Sequence, residues 1–227
     1  MPDSTLQFID DPPRTPDAPP PPLLVTFHGY GSHMGDLHGL RELLDGRFHV
    51  CSPQAPIDLG PAGMPGGWAW FNLTFTPDAG IGYDPAGALA AVELAERFVI
   101  EQMNRIGSTE VVLLGFSQGA MLAHALLLRG AIRPIGIAAC SGRMVEEIFG
   151  RTEPQHTAIA QTPVFASHGR FDDVIPVQSG RDIRDWYART HAALDYREYD
   201  MAHGIDPSCL TDLGDWCSSV LDQTRIR

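Results

Sequence analysis

The chain has 227 residues, of which 44% are hydrophobic and 19% charged, and its formal net charge is −12. That length and apolar content suit one domain with a substantial core. The acidic balance argues against nucleic acid or an anionic membrane as a partner, since both are held by Lys and Arg; it otherwise serves solubility.

The stretch from Met1 to Asp10 is acidic and lacks the basic and apolar segments of a secretory signal. No apolar run approaches the ~20 residues needed to span a bilayer, so no membrane span is expected and the cytoplasm is the expected compartment. The four cysteines, Cys51, Cys140, Cys209 and Cys217, form no C-x-x-C pair and no zinc spacing. Cys51 and Cys140 lie in apolar runs, where a free thiol acts as a small buried hydrophobe.

Along the chain, Leu6 to Ile9 reads as an edge strand. Residues 11–22 hold seven prolines and read as a stiff connector between strands rather than a core element. Leu23 to Phe27 reads as a buried strand followed by His28-Gly29-Tyr30-Gly31. Asp36 to Leu44 is expected to be helical, with Gly46 closing it, and Phe48 to Cys51 is the next strand. Residues 53–84 are rich in Pro, Gly and aromatics and form a long excursion without a sustained period. Asp84-Pro85 supplies an N-cap and a first-turn proline for a long amphipathic helix ending near Ile106-Gly107. The apolar run Val111 to Leu114 then leads into Gly115-Phe116-Ser117-Gln118-Gly119 and a helix over 120–128. Ile132 to Cys140, Pro163 to Ser167 and Leu194 to Tyr199 read as strands. Val177 to His191 and Asp206 to Leu221 read as helices. Strands alternating with helices predict a single α/β domain with a mainly parallel sheet covered on both faces. In such sheets the chemistry lies beyond the strand C-termini.

G-x-S-x-G between a buried strand and a helix marks a nucleophile elbow. The turn strains the serine backbone, lifts its hydroxyl clear of the sheet, and needs glycine on both sides. The helix behind Ser117 offers free backbone N–H groups and a positive dipole end where an oxyanion would develop. A serine hydroxyl needs a histidine to remove its proton and a carboxylate to hold that histidine. After Ser117 come His124, His156, His168, His191 and His203. His124 lies two helical turns on and points away. His191 ends an amphipathic helix and faces solvent, and His168 follows a buried strand in a turn. His203, in the loop Asp200 to Gly204 after the last strand, stands where the general base belongs. Asp172 and Asp173 follow strand 163–167 as the two candidate acids, one for the triad and the other for solvent or a helix cap. The oxyanion donors are expected from the backbone N–H groups of Gln118 and Tyr30. His28, His33 and His38 share no helical face, so no metal site is expected from them, and His28 is read as a loop-bracing hydrogen-bonder.

The motifs His28-Gly29-x-Gly31, Trp70-Phe71, Gly115-Phe116-Ser117-Gln118-Gly119, His168-Gly169-x-x-Asp172-x-x-Ile175-Pro176 and His203-Gly204 resemble the phospholipase/carboxylesterase family, in the family's order. That family includes bacterial carboxylesterases and acyl-protein thioesterases. The resemblance implies an α/β-hydrolase fold with little or no cap domain, acting without cofactor on small-molecule esters or thioesters. By motif position it assigns Ser117, Asp172 and His203 to the triad. Tyr30 stands where the family often has an aliphatic residue, and Asn72 where an aspartate is common. Trp68, Trp70 and Phe71, set among glycines, are expected either as buried aromatics or as a wall of the acyl pocket. The preferred reading is a serine carboxylesterase. The competing readings are a non-catalytic ligand-binding protein of the same fold and a peptidase or amidase. Exposed aromatics would suit a homodimer, but no symmetric patch can be placed from the sequence.

Overall fold

The structure is a computed structural model and describes residues 6–15, 20–76, 80–152, 159 and 162–225. Its centre is a seven-stranded sheet built from β1 (Phe8–Asp11), β2 (Leu23–Phe27), β3 (His49–Pro53), β8 (Val111–Phe116), β9 (Gly136–Cys140), β10 (Pro163–Gly169) and β11 (Ala193–Tyr199). Four short strands of the 53–84 excursion stand outside that sheet: β4 (Ile57–Asp58) pairs with β5 (Trp68–Ala69), and β6 (Leu73–Thr76) pairs with β7 (Gly80–Tyr83). The sheet order is β1-β3-β2-β8-β9-β10-β11. Only β1 runs antiparallel, with Phe8 opposite Pro53. The remaining pairs are parallel, in register Phe27–Gly115, Phe116–Cys140 and Ser167–Cys140.

Because helices cover both faces, the central strands are buried and mostly apolar, with Thr26, Ser167 and His168 as buried polar exceptions, and the two-residue alternation sorts their side chains between two cores. Leu23, Val25, Phe27, Leu113, Ile137 and Val164 face α2 (Pro85–Ile106), α3 (Gln118–Arg129), α4 (Glu146–Phe149) and α5 (Val177–Tyr187). Leu24, Val112, Leu114, Ala138, Cys140 and Phe165 face α1 (Gly35–His38) and α6 (Pro207–Arg225). The cap expected for the long helix is present: Asp84 accepts from the Ala86 N–H at 3.1 Å, and Gly107 ends α2 with φ 75°. All four cysteines are free and buried.

Several boundaries differ from the sequence reading. The helix expected over Asp36 to Leu44 is α1 followed by a 3-10 turn over Gly39–Leu43; glycine at the junction weakens α-helical continuation. The strand expected from Ile132 begins at Gly136, since Pro134 has no N–H for a ladder. The helix expected to reach His191 stops at Tyr187, leaving His191 exposed. In the proline-rich connector, residues 16–19 lie outside the described set, as do His156 and the adjoining residues 153–158. Before that gap, Arg14 anchors the connector by donating to Leu44 O at 2.6 Å and Arg41 O at 2.9 Å.

Candidate active site

β8 ends in the sharp turn that carries Ser117. Ser117 has φ 53° and ψ −114°, a backbone conformation that only a tightly determined turn maintains. A Cβ at Gly115 would collide with the Gly119 carbonyl, and one at Gly119 would collide with the Phe27 carbonyl of the neighbouring strand. These two clashes are the physical content of the glycines in the motif. The Ser117 N–H donates to Cys140 O at 2.9 Å and ties the elbow to the end of β9. The side chain of Gln118 reaches away from the site: its Oε1 accepts from Trp70 N and its Nε2 donates to Phe71 O, both at 2.8 Å.

The other two groups come from the ends of the next two strands. His203, in the loop after β11, places Nε2 2.9 Å from Ser117 Oγ and Nδ1 2.7 Å from Asp172 Oδ2. The Phe116 ring packs on its imidazole at 4.9 Å between centroids. The Asp172 carboxylate is fully buried, so its remaining lone pairs must be met by protein. Oδ1 accepts from the Val174 and Ile175 amides at 2.9 and 2.8 Å. Its partners fix the tautomer: Nδ1–H of His203 donates to the carboxylate, leaving Nε2 to accept the serine proton. Asp173 is exposed and makes no cap, since α5 is preceded by Pro176 with no side-chain hydrogen bond.

Tyr30 and Gln118 flank the serine. Gln118 is the first residue of α3, so its amide has no acceptor within the helix. In the loop after β2 the Gly31 amide donates to Trp68 O at 2.9 Å and the Ser32 amide to Gly29 O at 3.3 Å, while the Tyr30 amide has no acceptor among the described residues. His28 braces this loop from below. Its Nδ1–H donates to Gly29 O at 2.8 Å and its Nε2 accepts from the Ala55 amide at 3.1 Å. Burial holds its pKa below the ordinary histidine value. His168, at the end of β10, donates from Nε2 to Ile175 O at 2.8 Å and so clamps the acid loop; burial lowers its pKa as well. His124 lies in the core with Nδ1 3.0 Å from Tyr187 Oη.

The cavity above Ser117 has a volume of about 620 Å³. One wall is the β6–β7 hairpin with Leu73, Ile81 and Tyr83, and the other is the acid loop with Val174, Ile175 and Pro176. Met121 and Arg143 also face it. Trp68, Trp70 and Phe71 do not line it, which corrects the acyl-wall expectation. Trp70 and Phe71 are buried, and the Trp70 indole N–H donates to His28 O at 3.0 Å while its ring packs edge-on against Phe27. Trp68 bridges to Ser32 through the backbone. The segment therefore buttresses the loop carrying Tyr30 from behind, held in place by the Gln118 side chain. Arg143 and Tyr83 were not singled out by the sequence reading. The available signal was position: Arg143 lies three residues past the end of β9, at the carboxyl edge of the sheet.

Among the described residues, one group of potential metal ligands gathers: Asp10, His49 and Cys51, on β1 and β3. It lies away from the cavity, and Arg105 already occupies the carboxylate of Asp10 at 2.6 and 3.1 Å.

The phospholipase/carboxylesterase family model matches residues 14–221. The chain belongs to that family. It is 30% identical over 216 residues to an acyl-protein thioesterase 1 of Kluyveromyces lactis, covering 88% of this chain and 92% of that protein. A Bacillus cereus carboxylesterase structure superposes with a TM-score of 0.78 at 16% identity, covering 95% of each chain. Acyl-protein thioesterase 2 of Zea mays superposes at 0.77 with 18% identity, covering 95% of this chain and 99% of that one. At those identities the structural matches establish the α/β-hydrolase fold, and the family match makes the chain a serine hydrolase acting on ester bonds.

Proposed function

We propose that the protein hydrolyses small carboxylic esters through an acyl-enzyme on Ser117, with His203 as general base and Asp172 as its orienting acid. One observation carries this reading: an unbroken hydrogen-bonded relay of 2.9 and 2.7 Å ends on a serine held in a strained turn that lines a cavity. His203 Nε2 takes the Ser117 proton as Oγ attacks the carbonyl carbon. The Tyr30 and Gln118 amides receive the oxyanion of the tetrahedral intermediate, where preorganised donors act most strongly. The imidazolium then protonates the leaving alcohol or thiol, and Asp172 stabilises its charge. Water, deprotonated by His203, releases the acid and restores the serine.

The substrate class extends to thioesters, in line with the thioesterase relatives. A cytoplasmic site of action agrees with four unpaired cysteines and with described helices none of which is long and apolar enough to cross a membrane.

The test is fluorophosphonate labelling together with p-nitrophenyl butyrate turnover, in the parent protein and in Ser117→Ala. Labelling is expected at Ser117, and the variant is expected to lose about 10⁴-fold or more in kcat. A variant within tenfold of the parent would remove Ser117 as the nucleophile.

A further inference from the structure

We propose that Arg143 forms a subsite for a carboxylate at the far end of the acyl chain, so that half-esters of dicarboxylic acids are the preferred substrates. This rests on the reading of Ser117 as nucleophile and names the substrate class of that site.

Arg143 is half-buried in the cavity wall. Its Nη1 donates to Ile81 O at 2.7 Å, and its Cζ sits 5.3 Å from the centroid of the Tyr83 ring. The ring is itself fixed: Tyr83 Oη donates to Glu147 Oε2 at 2.8 Å and accepts from the Glu146 amide at 3.0 Å. The guanidinium is thus held on a rigid platform by one edge. Its other N–H groups have no protein acceptor and no carboxylate partner among the described residues. The chain carries 28 acidic against 16 basic residues, and Arg47, Arg105, Arg181 and Arg197 all pair with carboxylates. A preorganised cation with no counter-ion among the described residues, in the same cavity as Ser117, fits a planar oxyanion supplied by the substrate.

The path of the chain places that oxyanion on the acyl half. Ser141 Oγ lies 3.5 Å from Gly204 O, next to His203, and Gly142 packs against Ala120 and the Met121 amide in the first turn of α3. Arg143 follows directly and, bonded to Ile81 O, belongs to the hairpin wall rather than to the acid loop. The leaving group departs where His203 can protonate it, on the side of the acid loop. There the charged lining residue is Asp173, which repels an anion. A carboxylated alcohol would face that repulsion, whereas a carboxylated acyl chain reaches Arg143.

The competing explanation is that Arg143 only pins the hairpin. Three esters separate the two: p-nitrophenyl hemiadipate and p-nitrophenyl hexanoate, with acyl chains of equal length that differ at the far end, and m-carboxyphenyl hexanoate, with the charge on the leaving group. The parent protein is expected to favour hemiadipate over hexanoate in kcat/KM. Arg143→Gln, which keeps a donor for Ile81 O but no charge, is expected to reduce that ratio by about tenfold to a hundredfold, the worth of a charged hydrogen bond. A parent protein that turns over hexanoate at least as well as hemiadipate overturns the subsite without any variant. So does Arg143→Gln lowering both esters in proportion, the behaviour of a pin. A preference carried by m-carboxyphenyl hexanoate instead overturns the acyl placement. Failure to hydrolyse any of the three, together with no fluorophosphonate label, removes the esterase reading and the subsite with it; a labelled, active enzyme without the preference removes the subsite alone.

Discussion

Exchanging Asp172 for asparagine tests the relay at its most buried point. The two backbone amides of Val174 and Ile175 both donate to Oδ1, so in Asp172→Asn the amide oxygen must take that position. The opposite orientation would bury an NH2 against two N–H donors, at about 1–3 kcal/mol for each group left unpaired. With the oxygen fixed there, Nδ2 faces His203 Nδ1, which now has to accept. The imidazole proton moves to Nε2, 2.9 Å from Ser117 Oγ, and that nitrogen can no longer take the serine proton. The expected loss in kcat is about 10⁴-fold, equivalent to about 5 kcal/mol of transition-state stabilisation. Asp173→Asn serves as the control. Asp173 is exposed and caps nothing, so stability should stay within about 0.5 kcal/mol, and butyrate ester turnover should fall far less than in Asp172→Asn. Both variants are measured by p-nitrophenyl butyrate kinetics, with thermal unfolding to confirm that each is folded. An Asp172→Asn enzyme within tenfold of the parent, or a larger loss in Asp173→Asn, would refute the assignment of the acid.

Two further outcomes are expected. His124 is buried with no partner for Nε2 among the described residues, and burial holds its pKa down to about 3; between that value and the ordinary 6.5 the unfolded chain binds a proton that the folded chain refuses, so stability falls as pH falls through this window. From pH 8 to pH 4 this residue should cost about 3 kcal/mol, and denaturant unfolding of His124→Phe should show a pH dependence shallower by that amount; equal slopes would show that His124 is protonated in the fold. In a p-nitrophenyl ester series from acetate to palmitate, short to medium acyl chains should be favoured, because the cavity of about 620 Å³ lies between one hairpin and one loop. A steady rise in kcat/KM to palmitate would contradict this.

What the sequence discloses about this protein divides along the range of the interactions involved. Ser117 is readable because its strain, its flanking glycines and the strand and helix around it all lie in the one continuous stretch from Val111 to Arg129. Asp172 and His203 follow the ends of β10 and β11, so the parallel topology alone brings them to the same edge of the sheet. The walls of the cavity obey no such rule. Leu73, Ile81 and Tyr83 come from an excursion without helical or strand period, and their hairpin exists only through pairing of β6 with β7. The same segment shows why composition left the tryptophans undecided between two readings. Glycines and aromatics beside an active site are compatible with a lining or a buttress. The choice between them is made by contacts far away in the chain, Gln118 to the backbone of Trp70 and Phe71, and Trp70 to His28 O. Those three hydrogen bonds turn the large rings inward and leave the smaller hairpin side chains facing the serine. Arg143 depends on the same long-range pairing. Its charge reads from sequence as one more solvated arginine until β7 delivers Ile81 O and the Tyr83 ring to hold it. The chemistry of this enzyme is therefore set by local turns at strand ends, and its selectivity by how a non-periodic excursion packs against them. Substitutions in 73–83 should accordingly change which esters are cleaved before they change whether esters are cleaved.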